Sequence, residues 1–120
     1  MKVSKELLSE VLSYKLPYKI KVHKIIVCNG TLHYFYNSKD SCGGIFEANV
    51  YINIYELAFK LKIWAYSNCC ELVSYTEGCE IFQTQLGETI KYFYAETEVE
   101  AIILASEWIL KEINEKQLQH

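Results

Sequence analysis

Asn29-Gly30, set between two runs rich in β-branched and aromatic residues, constrains this chain more than any other feature. Ile20 to Cys28 precede it and Thr31 to Tyr36 follow it. A two-residue hairpin turn of type I′ needs positive φ at both central residues, which Asn and Gly tolerate. The turn also fixes register. It sets Cys28 opposite Thr31, Val27 opposite Leu32, Ile26 opposite His33 and Ile25 opposite Tyr34. One face then carries Lys24, Ile26, Cys28, Thr31, His33 and Phe35; the other carries His23, Ile25, Val27, Leu32, Tyr34 and Tyr36. Both faces are largely apolar, so the hairpin is expected to be covered on both sides or to form part of an interface.

The second constraint lies further along. Three strand-like runs, Cys70 to Thr76, Cys79 to Gln85 and Thr89 to Ala95, are separated by Glu77-Gly78 and Gly87-Glu88. Such connections are too short for parallel crossovers, so these strands form an antiparallel meander. Helical periodicity brackets them. Asn53 with Glu56 reads as an Asn-led capping box, and Ile54, Leu57, Ala58, Leu61, Trp64 and Ala65 form the stripe behind it, widened by Tyr55, Phe59 and Tyr66. Asn68 stops this helix. Thr97 with Glu100 is a full capping box, followed by a core face of Ala101, Ile102, Ala105, Trp108, Ile109 and Ile113 and a second strip of Val99, Ile103 and Leu110, with fraying expected after Glu115.

At the N-terminus, Ser4 caps a helix from Lys5 to Tyr14 whose stripe is Leu7, Leu8, Val11 and Leu12, and Pro17 ends it. Asn37 to Gly44 is expected to be the mobile loop, and Ile45 to Ile52 a short extended lead into the second helix. The expected fold is therefore α+β in the order α-β-β-α-β-β-β-α, with helices packed on antiparallel sheet. Residues 1–120 form one domain, with 1–52 a helix and hairpin extension and 53–117 an α-β-β-β-α unit. The sequence carries no visible internal repeat.

Composition bounds the function classes. No apolar run approaches the ~18–20 residues that span a bilayer, and the mixed charges of Met1 to Leu16 are unlike a secretory signal. Both point to a cytoplasmic protein away from membranes. The five cysteines, Cys28, Cys42, Cys69, Cys70 and Cys79, are odd in number and have no paired-knuckle spacing, so they read as free thiols. The twelve basic residues are all lysine, which removes the fork that recognises phosphates and base edges in bidentate fashion. Residues 1–60 hold eight Lys against five acids, whereas residues 61–120 hold four against ten. The acidic half argues against a nucleic-acid surface there.

Two stretches carry a resemblance. Asn53-Ile54-Tyr55-Glu56-Leu57-Ala58, with Lys60, Lys62, Trp64 and Ala65, is one; Tyr94-Ala95-Glu96-Thr97-Glu98, with Glu100, Ala101, Ile102, Ala105, Trp108 and Ile109, is the other. Together they resemble small phage and prophage proteins, including phage α-β-α sandwich domains. The likeness implies a mobile-element origin and no particular activity. The α-β-β-β-α order is also similar to that of double-stranded-RNA-binding domains, whose last helix opens on phosphate-gripping lysines. Here that position reads Thr97-Glu98-Val99-Glu100-Ala101, with the charge reversed.

Candidate chemistry is sparse. Cys28 and His33 lie diagonally on one hairpin face, but a Cys-His nucleophile needs an orienting group and an oxyanion hole that the sequence does not offer. Zinc drawn from Cys28, His33 and Cys42 lacks a tight ligand pair. Gly43-Gly44 has no accompanying phosphate-loop pattern. No catalytic residue, metal or cofactor is therefore expected. Lys19, Lys21 and Lys24 are the only basic cluster, and a solvated strand edge explains them. Glu96, Glu98 and Glu100 would serve as a helix cap and solvated face, or as a surface for a basic protein partner. The reading is a non-enzymatic interaction protein of phage type, able to self-associate and to modulate a host nucleic-acid-handling or defence protein. A degenerate RNA-binding module using the N-terminal lysines is the alternative.

Overall fold

In a computed structural model that describes residues 1–115, the chain is α+β with two separate three-stranded antiparallel sheets and three helices. Helix α1 spans Lys5–Ser13, strands β1, β2 and β3 span Val22–Cys28, Thr31–Lys39 and Ile45–Asn53, and α2 spans Ile54–Ser67. Strands β4, β5 and β6 follow at Cys70–Tyr75, Gly78–Gln83 and Glu88–Tyr94, then α3 at Glu98–Asn114. After α1, a βββα unit thus occurs twice. The helix end expected beyond Glu115, and the unit boundary at 117, lie outside the described residues.

The Asn-Gly turn has the register its type requires. Asn29 and Gly30 have φ of 49° and 76°. Cys28 pairs with Thr31, Val27 with Leu32, Ile26 with His33 and Ile25 with Tyr34. The expected lead-in at Ile45–Ile52 is instead a full strand, paired with β2 over nine rungs from Thr31↔Asn53 to Lys39↔Ile45. The expected mobile loop is correspondingly short. Asn37 to Lys39 belong to β2, and Asp40 organises what remains. Its Oδ1 accepts from the backbone N–H of Cys42 (2.9 Å) and of Gly44 (2.8 Å), while its own N–H donates to the Gly44 carbonyl at 2.9 Å. Backbone donors left over by a tight turn are satisfied by that carboxylate, which holds the loop in one conformation.

The caps work locally. Ser4 Oγ accepts from Leu7 N–H, and Thr97 Oγ1 from Glu100 N–H at 3.2 Å. Asn53 Oδ1 takes the Tyr55 N–H at 2.8 Å, so α2 starts on an Asx cap and not on a reciprocal box with Glu56.

Helix α1 buries Leu7, Leu8 and Val11 and is also tied down by serines. Ser9 Oγ accepts the buried Val22 N–H at 2.9 Å, and Ser13 Oγ accepts the Ile20 N–H at 2.8 Å. At its start, Glu107 of α3 accepts from both the N–H and the hydroxyl of Ser4, each at 2.7 Å. These bonds fasten the N-terminal helix to β1 and to the C-terminal helix.

One core joins the elements. Leu7 and Leu8 of α1, Leu32 of β2, Leu57 and Leu61 of α2, Ile81 of β5, and Ile103 and Ile109 of α3 are fully buried. Each such side chain stabilises the fold by roughly 1.5–3 kcal/mol. Helix α3 crosses β4, β5 and β6, α2 lies beside α3, and α1 lies on β1. The first sheet is covered on only one face, around Val22, Leu32, Tyr34 and Ile52. Its other face leaves Ile26 and Tyr51 exposed, and beyond Val22↔Tyr36 strands β2 and β3 run on without β1. That projection explains a radius of gyration of 15.2 Å, against about 13.6 Å expected of a compact chain this long.

Candidate functional site

The N-terminal ends of α2 and α3 lie side by side and leave a groove of about 560 Å³ between them. Its floor is Ala58, Val99 and Ile102, all buried, with half-buried Ile54. One wall is a single helical face, since Tyr55, Phe59 and Lys62 recur at i, i+4 and i+7 on α2. The opposite wall is Glu96, Thr97 and Glu98, with Thr76 closing one end from the β4–β5 turn.

Tyr55 and Phe59 were expected to widen the core stripe of α2, but they are 71% and 64% exposed. The reason is the relative placement of the helices. α2 packs against α3 and β4 and buries Leu57, Leu61, Trp64 and Ala65, and among the described residues no element covers the adjacent face. An amphipathic helix with apolar residues over more than one stripe has more apolar surface than one neighbour covers.

The three carboxylates named from the sequence separate in the structure. Glu96 and Glu98 line the groove and are exposed. The Ser74 hydroxyl of β4 donates to Glu98 Oε2, which holds that carboxylate at the rim. Glu100 does not line the groove. It is half-buried and accepts from the Thr97 hydroxyl at 3.2 Å, so it serves the cap.

The basic cluster divides as well. Lys19 pairs with Glu10 at 3.1 Å, and Lys19 and Lys21 lie with Lys5 and His23, but also Glu6 and Glu10, around a second groove of about 830 Å³ beside α1. Lys24 stands apart, with Nζ 5.0 Å from the centroid of Phe35. The signs along this groove alternate, which suits no simple polyanion.

Cys28 and His33 share the uncovered sheet face as the register requires, and the His33 ring lies 5.3 Å from that of Tyr51. Cys42 sits in the loop beyond Lys39↔Ile45, at the other end of the sheet from Cys28. Eight rungs separate those ends, about 27 Å, so no ion could take both thiols. Among the described residues no cluster of three or more His, Cys, Asp or Glu side chains could hold a metal ion. Burial pushes the thiols of Cys70 and Cys79 up to about 11, which keeps them protonated and unreactive at neutral pH. No helix among the described residues is long and apolar enough to cross a membrane.

Comparison with protein-family models, with curated proteins and with solved structures gives no match.

Proposed function

We propose that this is a non-enzymatic accessory protein of phage or prophage type that acts by binding another protein through the α2–α3 groove. One observation carries the reading. Two exposed aromatic rings on α2 face two exposed carboxylates, Glu96 just before the cap of α3 and Glu98 in its first turn, across an apolar floor. A lysine or arginine side chain fits that chemistry at both ends. Its aliphatic stem lies on Phe59 and Ala58, its head meets Glu96 and Glu98, and an aromatic face adds attraction to a cation. The occupant is a basic segment of a partner protein, such as one found on a host nucleic-acid-handling or defence protein. Phosphate is repelled by the same two carboxylates, which outnumber the one cation lining the groove, Lys62.

The experiment is capture of partners from host lysate with and without nuclease, followed by affinity measurement on variants. Nuclease-resistant capture is expected. Glu96→Gln and Glu98→Gln should each weaken binding about two- to fivefold, from ~0.5–1 kcal/mol per exposed pair, and flatten its salt dependence. Glu100→Gln is the control, because Glu100 serves the cap and leaves affinity unchanged. Capture that disappears with nuclease, or affinity indifferent to Glu96 and Glu98, would refute the proposal.

A further inference from the structure

Of the four edge strands in the two sheets, three carry devices that discourage pairing with another chain. β1 has His23 and Lys24, with Lys21 just before it, and a register shift between Val22 and Lys24, and α1 packs against it. β4 is six residues long and bears Glu71. β6 bears Glu88 and Lys91, opposite a register shift at Ile81/Phe82. Short length, charge, bulges and covering helices are the usual means of blunting an edge.

β3 is neither short nor bulged, and its one charge is engaged within the sheet. It is nine residues long, IFEANVYIN, and pairs with β2 without a register shift. Among the described residues no other strand lies along its outer side. Its single charge, Glu47, is drawn inward across the sheet, with Oε2 3.1 Å from His23 Nε2. Ile45 and Tyr51 are each 70% exposed, and Phe46 is 49% exposed.

We infer that β3 is a dimer interface, on which β3 of a second copy of this chain adds antiparallel about a two-fold axis. The register that uses the whole strand places Asn49 on the axis. Ile45 then faces Asn53 of the second copy, Phe46 faces Ile52, Glu47 faces Tyr51 and Ala48 faces Val50. This pattern is self-complementary. Apolar residues of one sheet face meet apolar residues, no like charges oppose, and each Glu47 meets a phenol and not its own copy. A foreign strand would have to match that alternation; a second copy matches it by symmetry. The product is one six-stranded sheet joined by roughly eight to ten main-chain hydrogen bonds. Pairing along a single edge is small for a standard interface, so association lies in the micromolar range.

The axis position supplies the test. Asn49 is exposed, so charge there leaves the monomer intact, as circular dichroism checks. Sedimentation of the full chain at high micromolar concentration should give a dimer. Asn49→Lys and Asn49→Asp each place like charges directly opposite and should raise the dissociation constant by up to about fivefold, from up to about 1 kcal/mol for the one cross-strand pair on the axis. Mixed in equal amounts, the two variants should recover at least wild-type affinity. A wild-type species of 14.0 kDa at that concentration, variants as dimeric as wild type, or a mixture with no gain would each overturn the inference.

Discussion

Ser9→Ala tests how the N-terminal helix is held. Ser9 is buried in α1, donates to the Lys5 carbonyl at 2.6 Å and accepts the Val22 N–H at 2.9 Å. Val22 itself is only 4% exposed, so water cannot replace the lost acceptor. An unpaired buried amide costs about 1–3 kcal/mol. Alanine is the better helix former and returns up to about 0.7 kcal/mol. The net loss is then about 1–2 kcal/mol. With an unfolding entropy near 2.1 cal/mol/K per residue, 120 residues give roughly 0.25 kcal/mol/K, so Tm should fall by about 4–8 °C. Thermal and urea denaturation at one fixed protein concentration would measure it. Ser67→Ala is the comparison, since Ser67 also donates to a helical carbonyl, that of Trp64, but is exposed; it should change stability by less than ~0.5 kcal/mol. If Ser9→Ala proves no more costly than Ser67→Ala, the serine ties do not hold α1 in place.

Three further outcomes concern the cysteines and the first residue of β5. In the native protein a thiol reagent should label exposed Cys28 and Cys42 quickly, and reach Cys70 and Cys79 only on unfolding, read by mass spectrometry of quenched samples. Because those two thiols titrate near 11 when folded and lower when unfolded, the native state holds more protons above the unfolded value. Their contribution is intact at neutral pH and is lost as pH rises toward about 11, so urea midpoints should decline across that window and less so in Cys70→Ala/Cys79→Ala. Gly78→Ala puts a methyl 2.5 Å from Cε2 of Tyr75 and 3.3 Å from the Phe93 carbonyl oxygen, and should cost about 1–3 kcal/mol; adding Tyr75→Ala should recover part of that in a double-mutant cycle.

Much of the fold was legible because its signals are short-range. Asn29-Gly30 fixes a register by itself, Ser4, Asn53 and Thr97 mark helix starts, and short turns force the second meander, although they fall at Thr76-Glu77 and at 84–87 where Glu77-Gly78 and Gly87-Glu88 are the sequence signals. β3 escaped because its connection to β2 is five residues closed by a carboxylate, with no two-residue turn to announce it. Its nine-rung pairing with β2 has a register that periodicity alone does not specify. The site was half legible. Glu96, Glu98 and Glu100 lie close in sequence and Thr97 with Glu100 reads as a capping box, so their clustering and the capping role of Glu100 were visible, but that Glu96 and Glu98 line a groove shared with α2 was not. Tyr55 and Phe59 were visible as apolar residues at helical spacing. Their exposure depends on where α3 lies against α2, which is a tertiary fact. The three lysines looked like one patch because the bulge at His23, which shifts the pairing between Val22 and Lys24, has no marker in the sequence.

The most direct test of the central claim is a chemical-shift titration of the isotope-labelled protein at physiological salt, with a lysine- and arginine-rich peptide in one arm and a single-stranded oligonucleotide in the other. The groove reading predicts peptide-induced shifts concentrated at Tyr55, Phe59, Thr97 and Val99, saturating at higher peptide concentration in Glu96→Gln/Glu98→Gln, with no saturable oligonucleotide response. Peptide shifts elsewhere with a silent groove, or saturable oligonucleotide binding around Lys19 and Lys21, would contradict it.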